Sequence, residues 1–231
     1  SGRRSYIDKL VGRRHPVTGP NGRRDTLRTG YYFFDTSAKL THRLGPAHRL
    51  SLSYYHGRDD LDLRLPFDLS LDFSSWLRPA DLLFEVVQNW DNRVFSGQHR
   101  VLLGDNLFLT STAYYSGYRA QEASFVQPTT TASLASDYRV RLSDAGAKMH
   151  VDYHSSMRHE WTAGLEVSVL QFESRLDSEL RRSRSTVTQQ AQATDVRAVR
   201  MAAYRQDAWK PTRRWTVGPG LRASFFGGGD R

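Results

Sequence analysis

Residues 202–226, AAYRQDAWKPTRRWTVGPGLRASFF, decide the fold class. They predict a strand that ends at Trp209, a short turn at 211–214 and a second strand that begins at Trp215. In the second strand the odd positions are apolar and the even positions are small or polar, which is the period of two of a strand with one apolar face. Two tryptophans flank the turn, where an aromatic belt at a membrane interface would place them. The stretch therefore predicts a hairpin of a transmembrane β-barrel.

The same unit of strand, tight turn and strand recurs along the chain, with turns predicted near residues 45, 105, 156 and 212. About nine strands are predicted in total. They lie at 1–10 (the end of a strand), 31–44, 48–58, 89–103, 107–118, 140–153, 160–172, 196–209 and 215–226. The longer connections at 11–30, 59–86, 121–137 and 173–194 are predicted as loops. Short turns at one end and long loops at the other are typical of outer-membrane barrels, whereas a soluble sandwich mixes loop lengths at both ends.

The composition of this 231-residue chain excludes several classes of protein. Hydrophobic residues make up 39% and mean hydropathy is −0.60, and no run reaches the roughly 20 apolar residues that a spanning helix needs. A barrel strand needs only about 10 residues with every second one apolar. The absence of cysteine excludes disulfide scaffolds, thiol nucleophiles and cysteine metal sites. A transmembrane barrel is compatible with all of these properties.

The chain is basic, with 33 Lys and Arg against 24 Asp and Glu. Such a balance can indicate nucleic acid or an anionic membrane surface as a partner. The basic residues are mostly single and scattered, so we interpret them as lumen and loop residues of a barrel, some facing anionic lipid headgroups. Gly-Arg-Arg recurs at 2–4, 12–14 and 22–24, which we interpret as a solvated basic loop. Contact of these arginines with lipopolysaccharide phosphates is the alternative.

No sequence motif indicates catalysis. Residues 218–223 fit G-x-G-x-x-A, but a dinucleotide site needs a helix there, and the alternation of a strand continues instead. Glu160 and Glu166 share one strand face but lie about 20 Å apart by strand rise, too far for paired acid–base chemistry. Nucleophile-elbow, zinc-protease and P-loop motifs are absent. We therefore expect no enzymatic activity, no catalytic residue and no cofactor.

Two groups of residues are candidate metal ligands. His150, His154 and His159 bracket one predicted turn, but hydrogen-bonded turn or lumen histidines are commoner than metal sites of this spacing. A short acidic run at 59–62 offers oxygen ligands for calcium without the EF-hand spacing, which favours a solvated acidic turn. The sequence therefore predicts no metal site.

Several stretches resemble the barrel of TonB-dependent outer-membrane receptors, especially the large Bacteroidetes-type receptors whose plug follows a carboxypeptidase-regulatory-like domain. The most specific is 204–221 within AYRQDAWKPTRRWTVGPGL. The others are SGRRSYIDKL at 1–10, residues 34–44 with HRLSLSYYHGRD at 48–59, and residues 138–153. The resemblance covers nearly the whole chain and implies a larger barrel, of about 22 strands, around a plug.

The resemblance implies that residues 1–231 form part of the wall of such a barrel. Plug and TonB box are not visible in the sequence, so we expect an internal fragment of the barrel. The implied function is energised uptake of a scarce ligand (siderophore, glycan, peptide or similar) across the outer membrane. The implied partners are the TonB system, acting through the plug, and outer-membrane lipid including lipopolysaccharide. The loops at 59–86, 122–137 and 173–195 are candidate ligand contacts by position.

The alternation also assigns side chains to the two faces of the wall. The lumen-facing candidates are Lys39, Arg49, Glu166 and Arg222. The candidates for a membrane-interface girdle are Trp161, Trp209 and Trp215, since each lies next to a predicted tight turn. Two other functions remain open at this point. A plug-free passive porin would show the same strand pattern, and a soluble basic β protein that binds nucleic acid is the more distant alternative.

Overall fold

The computed structural model describes residues 1–4, 14–18, 24–68, 81–129, 132–182 and 186–230. These residues form strands and the turns that join them, without a helix, as the alternation predicted. The strands are β1 (Gly2–Arg4), β2 (Arg14–Thr18), β3 (Arg24–Arg43), β4 (His48–Asp68), β5 (Asp81–Leu103), β6 (Leu107–Thr129), β7 (Ala132–Ser156), β8 (His159–Arg182), β9 (Thr186–Thr212), β10 (Trp215–Val217) and β11 (Gly220–Asp230).

The strands form one antiparallel sheet in which each long strand pairs with the next along the chain. The order is β1-β3-β4-β5-β6-β7-β8-β9-β10, with β2 on β3 and β11 on β9. Among the residues that the structure describes, the sheet is open, because β11 and the first strands do not pair with each other. Within the described ranges, no helix is both long and apolar enough to cross a membrane.

Tight turns join the long strands at one end of the sheet, where the sequence predicted them. Residues 44–47, 104–106, 157–158 and 213–214 form these connections. Gly45 and Gly104 have φ angles of 108° and 75°, and only glycine adopts this region without a steric cost from a Cβ. Sharp reversal at these points lets β3 pair with β4 and β5 with β6 over almost their whole lengths.

The strands are much longer than predicted, and most of the predicted loops are wrong. Residues 59–68 continue β4 and 81–86 begin β5. Residues 121–129 and 132–137 belong to β6 and β7, and 173–182 and 186–195 to β8 and β9. The predicted loop at 11–30 contains β2 and the start of β3, which pair with each other. Residues 69–80, 130–131 and 183–185 lie outside the described residues, as do 5–13 and 19–23.

The loop-length contrast between the two ends is therefore weaker than the sequence suggested. Strand β6 ends at Thr129 and β7 begins at Ala132, so only two residues separate them. Two further boundaries are corrected at the opposite end. Strand β9 continues past Trp209 to Thr212, and the strand predicted at 215–226 is interrupted at 218–219, between β10 and β11. The predicted total of about nine strands becomes eleven segments in the described part of the chain.

The sheet is a single layer with almost no interior. Among the described apolar residues, Val101, Ala198 and Ala202 are the buried ones. Large apolar side chains such as Leu165, Leu221 and Phe225 are 61%, 85% and 62% exposed. Soluble monomers rarely leave a contiguous apolar surface of this kind uncovered. What lies against each face therefore determines what the sheet does.

Candidate functional site

The strand register assigns every long-strand side chain to one of two faces. Directly paired residues in an antiparallel sheet project to the same side, and neighbours along a strand project to opposite sides. We call face A the side that carries Val167 and the residues in register with it, and face B the side that carries Glu166. Val167 pairs with Ala147 and Met201, and Glu166 pairs with Lys148 and Ala202. The register then extends both faces from β3 to β11.

Face A is apolar in the half of the sheet next to the tight turns, which we call the turn half. On β8, for example, Trp161, Ala163, Leu165, Val167 and Val169 follow one another on this face. The same region of the other strands contributes Leu40, Leu52, Tyr54, Phe95, Val101, Leu109, Tyr115, Met149, Val151, Val199, Met201, Leu221 and Phe225. Polar side chains in this region include His48 and His99, which hydrogen-bond to each other at 3.2 Å with stacked rings.

The apolar character of face A ends along a single register row that crosses the sheet. We call it the switch row; it consists of Thr36, His56, Arg93, Gly117, Ser143, Gln171 and Arg197. The row on its turn side is Ala38, Tyr54, Phe95, Tyr115, Ala145, Val169 and Val199. The row on its far side contains Arg58, Asp91, Arg119, Arg141, Glu173 and Asp195. All six strands from β4 to β9 thus change polarity at the same level.

Beyond the switch row, in the distal half, face A carries charges that pair along single strands. Arg58 contacts Asp60 at 2.9 Å, and Arg175 contacts Asp177 at 2.8 Å, in each case two residues apart. The same spacing recurs in the pairs Asp91–Arg93, Asp137–Arg139 and Glu179–Arg181. Such exposed pairs contribute little stability, so their main effect is to make this surface compatible with water. The sequence interpretation missed this surface because it assigned most of these residues to loops, although Arg58, Asp91 and Arg93 lie in predicted strands.

Asp91 lies at the centre of the most connected of these pairs. Burial raises the pKa of this carboxyl, but hydrogen bonds from His56 and Arg93 outweigh that effect and hold it below its usual range. The His56 Nε2 atom lies 2.8 Å from one carboxylate oxygen, and Arg93 Nε lies 3.0 Å from the other. Asp91 is therefore ionised and already satisfied by its neighbours at neutral pH.

Face B of the turn half is polar, and Glu166 organises it. The carboxylate is 11% exposed and contacts Arg200 at 3.0 Å, Arg222 at 3.3 Å and Lys148 at 3.5 Å. Three cations around one carboxylate leave a local charge of about +2. Beside it, His150 hydrogen-bonds to the hydroxyl of Tyr204 at 2.7 Å and to Asp152. The surface is thus a connected polar network on the side opposite to the apolar one.

All four residues predicted to face a lumen lie on face B of the turn half. Glu166 and Arg222 contact each other in the network just described. Lys39 and Arg49 lie at the other side of the sheet and are exposed, with Lys39 opposite Ser53 and Arg49 between Arg43 and Arg100 in the register. The structure therefore groups these residues on one face but does not bring Lys39 and Arg49 to the Glu166 cluster.

Two glycines on face B make room for tyrosine rings. A Cβ added at Gly164 would overlap the ring of Tyr204, and one at Gly146 would lie 2.7 Å from the hydroxyl of Tyr114. Each tyrosine lies across its glycine on the neighbouring strand, a contact that shields exposed backbone and fixes register. Lys148 lies over the ring of Tyr114, and Arg222 over that of Tyr204, which connects these contacts to the Glu166 network.

The three tryptophans predicted as a girdle lie at the turn end of the sheet. Trp161 and Trp209 are on face A and enclose the ring of His159, with centroid distances of 6.1 and 6.2 Å and nearly parallel planes. His159 also donates to Asp207 at 2.7 Å, and Arg205 lies 4.3 Å above the ring of Trp161. Trp215 begins β10 directly after the last turn and is 69% exposed.

The structure separates the members of each candidate metal-ligand group from one another. The three histidines bind separate partners: His150 contacts Asp152, His154 lies 3.8 Å from Glu160, and His159 contacts Asp207. In the acidic run, Asp60 and Asp62 project to face A, whereas Asp59 projects to face B and accepts a hydrogen bond from Tyr31. Within the described ranges, no three His, Asp or Glu side chains are placed to hold a metal ion.

Face B of the distal half carries a mixture of apolar and polar side chains. The apolar ones include Leu61, Leu63, Val86, Trp90, Leu142, Phe172 and Leu176. Tyr31 donates to Asp59 at 2.7 Å on this surface. The hydrogen bond to the Asp59 carboxylate, with burial and the negative charge, raises the pKa of the Tyr31 hydroxyl.

Comparison with protein-family models gives no match to the chain, and comparison with curated proteins finds no similar sequence.

Proposed function

We propose that this sheet forms part of the wall of an outer-membrane β-barrel, with face A of the turn half against lipid. The single observation that carries the proposal is the change of polarity on face A along one row of the register, in all strands from β4 to β9. A soluble sheet that buries one face against a core has no reason to become charged on that face at a common level. The boundary of a membrane explains the change, because apolar side chains are favoured only on the lipid side of that boundary.

The dimensions support the same proposal. The apolar run on β8 extends from Trp161 to Val169, which is about 27 Å along a strand and about 20 Å across a layer when the strand is tilted by roughly 40°. The apolar band of outer-membrane barrels is about 25 Å tall. Strand β8 has 24 residues, whereas a spanning strand needs about 9–11. The distal half then projects beyond the membrane into water.

Inside the barrel, face B of the turn half is the lining. Its polar network around Glu166 is the kind of surface that faces an aqueous lumen or a domain held within it. The Trp161–His159–Trp209 stack marks the interface on the turn side. Because unpaired strand edges are too costly in lipid, a closed barrel needs further strands on both edges of this sheet.

Within this class we propose a TonB-dependent receptor for energised uptake. The resemblance of residues 204–221, 1–10, 34–44 with 48–59, and 138–153 supports a receptor over a passive porin. In this proposal a plug inside the barrel contacts the TonB system, and the ligand reaches the barrel from the distal end. Lipopolysaccharide and other outer-membrane lipid surround face A.

The first experiment is to express the intact gene product in a Gram-negative host and to separate the membranes. We expect it in the outer-membrane fraction, with a gel mobility that changes on heating because a closed barrel resists detergent unfolding until heated. Recovery as a soluble monomer with salt-sensitive affinity for nucleic acid would instead support the basic β protein. Loss of growth on a scarce nutrient when either this gene or the host's TonB is removed supports a receptor, whereas uptake that survives loss of TonB supports a porin.

A further inference from the structure

Face A contains a small cavity at the switch row. The function inferred for this cavity rests on the membrane orientation proposed above. The cavity has a volume of about 270 Å³, and Arg93, Arg119 and Arg141 line it together with Tyr115, Gly117 and Ser143. We call these six residues the boundary notch. Gly117 and Ser143 pair directly across β6 and β7, and their small side chains leave the depression between the arginines.

Two of the three arginines of the boundary notch, Arg119 and Arg141, have no close carboxylate partner, whereas Arg93 contacts Asp91 at 3.0 Å. Arg119 makes no ion pair with any residue that the structure describes. Arg141 has Glu173 only at 3.8 Å, and that carboxylate accepts a closer hydrogen bond from Gln171 at 2.8 Å. Asp91 is already held by His56 and Arg93. Asp91 and Glu173 also line the cavity, so its three arginines and two carboxylates leave it with an excess of positive charge.

Arg119 and Arg141 also occupy directly opposed positions on β6 and β7. Like charges in this position destabilise a sheet unless something lies between them. A bound anion removes that repulsion. Guanidinium groups bind phosphate oxygens in pairs, which makes phosphate the anion that best fits two neighbouring arginines.

The level of the boundary notch identifies the source of the phosphate. The next row toward the turns contains Tyr115 and Ala145 and is apolar. Tyr115 folds toward the cavity, since its hydroxyl lies 3.1 Å from the position of a Cβ on Gly117. In the proposed barrel, lipid chains cover the apolar row and their headgroups lie at the switch row. We propose that the boundary notch binds the phosphate of an anionic membrane lipid, with Arg119 and Arg141 as its main ligands and the Tyr115 hydroxyl as a further donor.

The test is to count lipids bound to the purified, folded gene product in detergent by native mass spectrometry. Phosphatidic acid is the probe, and diacylglycerol is the control that lacks the phosphate. We expect R119Q/R141Q to lower the affinity for phosphatidic acid by about tenfold or more, which corresponds to about 1.4 kcal/mol. R119K/R141K, which retains the charges but loses the paired N–H donors of the guanidinium groups, is expected to have an affinity between those of the parent and R119Q/R141Q. Weak binding of diacylglycerol should not change in either variant.

The matched control is R139Q/R175Q. These two arginines lie on the same face one row further out, and each is paired with an aspartate on its own strand. We expect this variant to bind phosphatidic acid like the parent. Equal loss in both double variants would overturn the site, because it would show only an effect of total charge. Displacement of the lipid by inorganic phosphate at similar concentration would also overturn it, since the site would then take free phosphate.

Failure of this inference can be told from failure of the proposed function. If the protein is in the outer membrane and heat-modifiable, but R119Q/R141Q binds phosphatidic acid like the parent, only the boundary notch is wrong. If the protein is soluble, both the membrane proposal and the lipid site are wrong. Heat-modifiable mobility of each variant shows that it is folded before its lipids are counted.

Discussion

The turn half and the distal half of this sheet differ in which face carries more of the apolar side chains, although the same strands run through both. In the turn half face A carries residues such as Leu165 and Val167, and face B carries the Glu166 network. In the distal half face A carries the Arg–Asp pairs, and face B carries residues such as Leu176 and Phe172. The periodicity of a strand requires only that successive side chains project to opposite faces. The surroundings of each half decide which of the two faces must be apolar.

The largest expected effect comes from placing one charge on face A in each half. V167R puts a guanidinium in the middle of the apolar band, where such a charge costs about 2–4 kcal/mol in a membrane barrel. Q171R, four residues later on the same face and strand, lies in the switch row and is expected to cost less than about 1 kcal/mol. Unfolding by urea in lipid vesicles measures both. Equal losses of unfolding free energy in V167R and Q171R would contradict the difference in surroundings proposed for the two positions.

A second comparison concerns backbone packing on face B. G164A adds a methyl group that overlaps the ring of Tyr204, so we expect a loss of about 1–3 kcal/mol from overpacking. G30A, which lies on face A of the distal half, is the control for a methyl group added where there is room, because a Cβ there has its nearest described neighbour at 3.8 Å, and we expect little change. The same urea experiment applies. A G164A protein as stable as G30A would show that the tyrosine moves aside without cost.

The third comparison removes one carboxylate from each half. E166Q leaves Lys148, Arg200 and Arg222 without their shared counter-charge, and we expect a loss of about 1–2 kcal/mol. E173Q removes an exposed carboxylate whose arginine is 3.8 Å away, and about 0.5 kcal/mol or less is expected. High salt should narrow the difference, because screening weakens the repulsion among the three cations. Identical effects of the two substitutions would count against a special role of Glu166.

The smallest effect is a titration in the distal half, outside the proposed membrane band. The hydrogen bond to Asp59 raises the pKa of Tyr31, so this hydroxyl stays neutral above the usual tyrosine value of about 10. Its contribution to stability is complete below that value and is lost as the pH rises through the higher folded-state pKa. The difference in absorbance near 295 nm between parent and Y31F should therefore develop above pH ~10. In D59N the absorbance change of Tyr31 should develop at lower pH than in the parent. An unchanged pH would contradict the hydrogen bond to Asp59 as the cause of the raised pKa.

The sequence was sufficient for the all-strand class, the antiparallel hairpins and the four tight turns. It was insufficient for strand length. Residues 173–182 do alternate, with Glu173, Arg175 and Asp177 on one parity and Leu176 and Leu180 on the other. In this segment the even positions are apolar, whereas in 161–169 the odd positions are apolar. Because the prediction assumed that one face is apolar along a whole strand, it assigned the segment to a loop. The recurring Arg-x-Asp spacing was the available signal. The boundary notch could not be predicted, because it depends on which strands pair and in what register.

The ion pairs of the distal half have a consequence for assembly. Arg58–Asp60, Arg175–Asp177 and Glu179–Arg181 each join residues of a single strand, two positions apart. A hairpin that inserts from the side on which its tight turn remains must pass its charged half through the lipid before neighbouring strands have joined it. An unpaired charge is costly during that passage. Pairing within the strand provides these charges with their partners from the start, whereas bridges between strands, such as Arg64–Glu85, would form only after the passage was complete.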